Sequence, residues 1–239
     1  MRELDYAFED INIQKGIITS KISVGALASL GSFIIARAIN DFLHDYPTAC
    51  VRVIEEPYEQ LLGDLRKGNI DFLFGVLRRS EWAADVKEPL LFKEPYVIVA
   101  RPGHPLTRDS DASRDELAKY DWVVPGPTTP RYLAFQRLFA STKNKPAATI
   151  ETASRGLVRS ILTMSDRLTL LPRHEAFLEP KLGVLVIIRT SVRLPNRKYG
   201  VATRINRHPT ALQRAFLERL VLHGHRVAMA RISDVKLSA

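Results

Sequence analysis

The 239-residue sequence has a single cysteine, Cys50. One thiol excludes an internal disulfide, and with no second thiol it offers no paired metal or redox chemistry; Cys50 reads as a small strand residue. Long apolar runs are missing too: none approaches the ~20 residues a membrane span requires. The first sixteen residues, MRELDYAFEDINIQKG, lack the basic start and apolar stretch of a secretory signal. A soluble, cytoplasmic chain is therefore expected. Gly-x-Ser-x-Gly, His-Glu-x-x-His and P-loop patterns are absent, and His44, His104, His174 and His208 are scattered without evident partners. No enzymatic activity, no cofactor and no resident metal are expected. His223 and His225 flank Gly224, but two histidines without cysteine or carboxylate support rarely make a metal site.

What is present is apolar content and a lopsided charge. Hydrophobic residues make up 46% of the chain, enough for a sizeable core, at a length near which one domain gives way to two. Two lobes are expected. The net charge of +9 is concentrated at one end, because Lys181 to Ala239 carry 12 lysines and arginines against Glu218 and Asp234 alone. Such basicity can mark nucleic-acid contact. No aromatic residues alternate with these charges as they do in a single-strand stacking surface, so a solvated face is the simpler expectation.

A recurring unit organises the chain: a short apolar strand, a turn carrying a hydroxyl, then an amphipathic helix. Lys21 to Gly25 runs through Ala28-Ser29-Leu30 into a helix over Phe33 to Tyr46, and Trp122 to Val124 runs through Gly126-Pro127-Thr128-Thr129 into a helix after Pro130. A helix that begins at the carboxyl end of a strand aims its unpaired N–H groups and positive dipole end at whatever sits there. Two such turns suit a small anionic or hydroxylated ligand.

Between and beyond these, the periodicity predicts strands at Cys50 to Glu55 and Asp71 to Gly75 around a helix over Tyr58 to Lys67 that stops at Gly68. A fully apolar strand follows at Tyr96 to Ala100. The second half repeats the logic with a helix over Tyr132 to Phe139, a strand at Ala148 to Thr152, a helix over Leu157 to Met164 and a strand at Leu168 to Leu171. A strand at Arg197 to Thr203 and a helix after Pro209, with Leu212, Phe216, Leu217 and Leu220 on one side, complete the set. Residues beyond Gly224 show no clear packing face and are expected to fray. Alternating strands and helices indicate parallel sheets with helical crossovers. The apolar stripe of Phe33 to Tyr46 is too wide for one sheet contact, which suggests a partner subunit on its far side.

Several segments, in order and spacing, resemble the effector-binding domain of LysR-type bacterial transcriptional regulators. They are Ile22 to Ala26, Tyr46-Pro47, Leu61 to Gly68 leading into Asp71 to Gly75, Glu88 to Phe92, Val99 to Leu106 and Leu170 to Arg173. The resemblance spans about Gly16 to Leu222. It implies an α/β fold of two Rossmann-like lobes joined by two crossing strands, of the type 2 periplasmic-binding-protein kind, with an effector held between the lobes. Residues 1–15 would be the end of a linker helix, 16–95 with 205–223 lobe I, 96–204 lobe II, and 224–239 a C-terminal tail. The DNA-binding winged helix-turn-helix that the family carries N-terminal to this domain has no room here, so DNA contact is expected only through that missing domain.

The resemblance also implies ligand contacts. Ser29, with Leu30, lies in the strand-to-helix turn where the family places a polar effector contact; a plain helix cap is the other reading of the same hydroxyl. Thr128 and Thr129 occupy the matching turn of the second lobe, one expected to cap and the other to face the cleft. Ser154 stands at a third helix start, as contact or cap. Val76 would furnish apolar wall, and Arg78 either meets an acidic effector or extends into solvent. The expected effector is a carboxylate, sugar acid or similar small molecule. The family further implies a homodimer, tetrameric in the full-length protein, in which Ile35, Ile39 and Phe42 meet Leu157 and Ile161 of a second copy. A solute-binding protein of a transport system is the alternative function, since it shares the two-lobe architecture.

Overall fold

The computed structural model describes residues 21–27, 32–77, 85–107, 111–143, 145–176, 178–205 and 207–229. The chain divides into two compact units, residues 1–93 with 198–239 and residues 94–197. It passes from the first to the second within strand β5 and returns within β10.

In chain order the elements are β1 (Lys21–Ala26), α1 (Ser32–Asp45), β2 (Cys50–Glu55), α2 (Tyr58–Lys67), β3 (Phe72–Val76), β4 (Val86–Lys87) and β5 (Leu90–Ala100). Then come α3 (Arg114–Leu117), β6 (Trp122–Val124), α4 (Pro130–Leu138), β7 (Ala148–Glu151), α5 (Arg155–Thr163), β8 (Thr169–Pro172), α6 (Leu178–Lys181) and β9 (Val186–Ile188). Strand β10 (Asn196–Arg204) and helix α7 (Ala211–Met229) return to the first unit.

In unit 1, β1 lies between β2 and β3 and runs parallel to both, while β10 pairs antiparallel with β3. Each parallel step requires a crossover, and α1 and α2 supply them. Helix α2 ends at Gly68, whose φ of 77° is the left-handed conformation that a side chain disfavours; its N–H closes the helix on the Asp64 and Leu65 carbonyls. One face of the sheet buries Ile22, Val24, Phe72 and Phe74 against Ile34, Ala38 and Phe42 of α1 and Phe216 and Leu220 of α7.

Two expectations are corrected here. The wide stripe of α1 is covered within its own unit, because α1 packs on the sheet with one side and on α7 with another. The Phe42 ring meets Phe216 edge-on at 5.5 Å. Ile35 and Phe42 are consequently buried core residues and present no surface to a second copy, whereas Ile39 is only partly buried. The last helix does not end at Gly224 but continues to Met229. Gly224 is buried within it, and a Cβ there would stand 2.9 Å from the Phe92 ring, so the glycine marks a close approach rather than a stop. Its start is held by reciprocal bonds between Thr210 and Gln213.

In unit 2, β5 pairs antiparallel with β8 and with β9, and β6 pairs parallel with β7. A bridge between Trp122 and Leu168 brings β8 beside β6 in the same direction. Trp122 is fully buried against Phe135 and Phe139 and donates its indole N–H to the Leu117 carbonyl at 3.2 Å. Among the described residues no helix is long and apolar enough to cross a membrane.

The basic C-terminal segment is less of a solvated face than its composition suggests. Arg207 pairs with Asp71, Arg219 with Asp45 and Arg189 with Asp111, and Arg197 is buried. Arg189, Arg207 and Arg219 thus meet acids from earlier in the chain.

Candidate functional site

Strands β6, β7 and β8 run in one direction, so their carboxyl ends share an edge of unit 2. Helices α4 and α5 begin at that edge, each with a hydroxyl cap. Thr129 accepts from the Tyr132 N–H at 3.3 Å and donates to the Gly126 carbonyl at 2.8 Å. Pro130 then opens α4 with its φ preset and no N–H left over. Ser154 accepts from the Leu157 N–H at 3.3 Å to start α5. The Thr129 and Ser154 hydroxyls thus serve the helices, and Thr128 stands exposed in the turn. Val76 closes β3 in unit 1 and is buried. Ser29, Leu30 and Arg78 lie outside the described residues.

The same edge gathers residues that the sequence reading did not single out. Arg131 is the second residue of α4 and only 6% exposed; Arg155 is the first residue of α5. Tyr96 sits opposite Pro172 in the β5–β8 ladder, and the Arg197 guanidinium lies over its ring, 5.2 Å from the centroid. Glu175, in the turn after β8, is 4% exposed. It forms an ion pair with Arg155 at 3.9 Å, and neither carboxylate oxygen accepts a hydrogen bond among the described residues. The Tyr96 hydroxyl is likewise buried without a partner. The other buried acid nearby, Glu94, is already committed: it pairs with the His174 imidazole and accepts the His174 backbone N–H at 3.1 Å. His174, expected to lack a partner, therefore has a buried one.

These groups sit in one another's fields. Burial pushes the Glu175 carboxyl above the usual carboxylate range, against the pull of His174, Arg155, Arg197 and Arg131. Burial holds Arg131 below its ordinary value, with Glu175 opposing, and raises the Tyr96 phenol, with Arg197 and Arg131 opposing. Three guanidinium groups and the positive ends of two helices thus face one carboxylate that no hydrogen bond satisfies. Such a corner is short of negative charge and suits an anion.

A cation in the first turn of a helix works against the helix dipole, where an acid is the favoured residue. That misfit, at Arg131 and again at Arg155, is the signal in the sequence that marks this corner. Elsewhere, His223 pairs with Asp41 and His225 lies 3.1 Å from the Leu91 carbonyl, so the two imidazoles serve different partners. Among the described residues no group of histidine, cysteine and carboxylate side chains is placed to hold a metal ion.

A family profile described as the LysR substrate binding domain matches residues 17–223. The chain is 30% identical to the HTH-type transcriptional regulator GalR of Pseudomonas putida over 206 residues, which cover 86% of this chain and 50% of GalR. It is 24% identical over 216 residues to PcaQ of Agrobacterium fabrum, covering 88% and 68% of the two chains. The chain thus spans half the length of GalR. Among solved structures it resembles the effector binding domain of QuiR in complex with shikimate, with a TM-score of 0.69 and 14% identity over 87% of this chain and 99% of that one. The regulatory domain of Synechocystis CcmR in complex with 2-PG gives a TM-score of 0.71 at 19% identity, covering 85% and 96%. These likenesses are likenesses of fold: α/β, with two Rossmann-like units.

Proposed function

The chain belongs to the LysR substrate binding domain family, and from that premise we propose that it senses a small organic acid and passes its binding on to transcription through a DNA-binding domain outside these residues. Family members such as GalR and PcaQ are transcriptional regulators and not enzymes. The observation that carries the reading is the edge of unit 2, where buried cations and two helix N-termini face a single unsatisfied carboxylate. A carboxylate, sugar acid or similar effector supplies what that edge lacks. The shikimate and 2-PG complexes of QuiR and CcmR support an effector of that size. A transport role finds no relative among these regulators.

Binding would act as a population shift, the effector favouring one arrangement of the protein over another. In unit 2 Thr128 is the exposed hydroxyl for the effector, with Thr129 and Ser154 ordering the helix starts behind it; the candidate contacts in unit 1 are Ser29, Leu30, Val76 and Arg78. The protein acts in the cytoplasm as a homodimer, tetrameric at full length, pairing Ile39 of α1 with Leu157 and Ile161 of α5 from a second copy. Leu157 is 49% exposed and Ile161, one turn on, is only partly buried, so the two share a side of α5. Sedimentation checks this: Ile39→Glu is expected to give monomer at concentrations where the unaltered chain is dimeric, and an unaltered chain that is monomeric at high micromolar concentration overturns the assembly. The sensing role is tested by melting the purified chain with the small-molecule fraction of a bacterial extract. A rise in melting temperature is expected, and none at any growth condition sinks the role.

A further inference from the structure

We propose that Arg131 and the Tyr96 hydroxyl take the acid group of the effector and that Glu175 pairs with a hydroxyl of the same molecule, so that the ligand is a hydroxylated organic acid. The inference rests on the sensing role above and assigns its chemistry to residues of unit 2 alone.

Three observations carry it. Tyr96, Arg131 and Glu175 are each more than nine-tenths buried, at 3%, 6% and 4% exposure. Neither the Tyr96 hydroxyl nor either Glu175 oxygen has a hydrogen-bond partner among the described residues. A buried polar group left in that state is costly in a folded protein, and groups that remain so mark a place where something else binds. The charge is also unbalanced. Arg131 is buried in the field of Glu175, whose ion pair with Arg155 is a long one at 3.9 Å, while Glu94 is held by His174. An incoming anion restores the balance, and a guanidinium with a phenol beside it offers that anion charge and a directed donor together. Once the anion is bound, Glu175 still lacks a partner, and a hydroxyl on the ligand supplies one. An acid without hydroxyls leaves it unsatisfied, which is the strongest way a site rejects an analogue.

Hydroxylated acids come as ring compounds and as sugar acids, and both satisfy this chemistry. The experiment therefore titrates the whole chain with 3,4-dihydroxybenzoate against benzoate, and with D-gluconate against hexanoate, by calorimetry. One hydroxylated acid is expected to bind ~10- to 100-fold more tightly than its hydroxyl-free counterpart, and which pair shows the preference identifies the source. Tyr96→Phe is expected to weaken that acid by ~10-fold or more while the melting temperature of the free protein stays the same or rises, since the buried hydroxyl has no internal bond to lose and its desolvation cost is removed. Arg131→Met abolishes binding and Arg131→Lys restores part of it. Glu175→Gln erases the preference for hydroxyls more than it weakens the acid. Equal affinity within both pairs, or affinity that survives Tyr96→Phe and Arg131→Met, overturns the proposal. A cell extract that stabilises the chain when neither hydroxylated acid does so rejects this ligand class and leaves the sensing role standing. Failure of both rejects the role as well.

Discussion

The two units use the same strand-turn-helix grammar and differ in how they treat buried charge. In unit 1 the buried carboxylate has its partners: Asp71 accepts the Ser23 N–H at 2.8 Å and lies 3.0 Å from an Arg207 nitrogen, and the buried His223 ring meets Asp41 at 2.7 Å. A cavity of about 230 Å3 beside that Asp71–Arg207 pair is walled mainly by apolar groups such as Phe72, Leu91, Val201 and Leu217. In unit 2 Glu94 and His174 form a closed pair, and Glu179 is held by Arg159, but the Glu175 carboxylate and the Tyr96 hydroxyl at the strand ends accept or donate no hydrogen bond among the described residues. The difference teaches where to look: satisfied charge holds a fold together, and unsatisfied charge at the carboxyl edge of a parallel sheet is kept for something that comes and goes.

The comparison breaks most visibly if the closed pairs are opened. Glu94→Ala leaves the fully buried His174 ring and its backbone N–H without their acceptor. A loss of about 3–5 kcal/mol is expected, read as a lower urea midpoint. Asp71→Ala makes the equivalent change in unit 1, removing the acceptor of the Ser23 N–H and an ion-pair partner of Arg207. Because the Arg207 side chain keeps 18% of its surface in solvent, the expected cost is smaller, about 2–3 kcal/mol. A near-neutral result for either variant would mean that these pairs are no better satisfied than Glu175 is.

Local chemistry made much of this legible. The alternation of strands and helices and the stop at Gly68 depend on neighbours a few residues away, so the chain announces them, whereas only the structure shows Thr129 rather than Thr128 as the cap and Ser154 in a capping role. The covering of α1 by α7 does not follow from local pattern, because it joins helices some 170 residues apart, as the Asp45–Arg219 pair shows with a separation of 174. An apolar stripe tells how much surface must be buried and not by what, so the share of it that α7 covers, Ile35 and Phe42 included, is not readable from α1 alone. The charged corner is hidden for the same reason. Tyr96 reaches Pro172 only through the β5–β8 ladder, and Arg131, Glu175 and Arg197 each look like ordinary surface residues until the strand order brings them to one edge.

The smallest expected effect is the most discriminating, because its sign is opposite to the others. Burial raises the Glu175 carboxyl in the folded protein. Between the ordinary carboxylate range and that raised value the folded chain holds a proton that the unfolded chain has released, so stability falls as pH rises through this window and is fully present below it. Glutamine keeps the neutral shape at every pH. Glu175→Gln is therefore expected to match the parent near pH 4 and to melt higher at pH 7.5, by about 2–4 °C for each ~1 kcal/mol gained in a chain of this size. The measurement is a pair of melting curves across that range without ligand. If the variant instead melts lower at pH 7.5, the surrounding arginines need the carboxylate as Arg207 needs Asp71, Glu175 is a structural partner, and the contrast between the two units disappears.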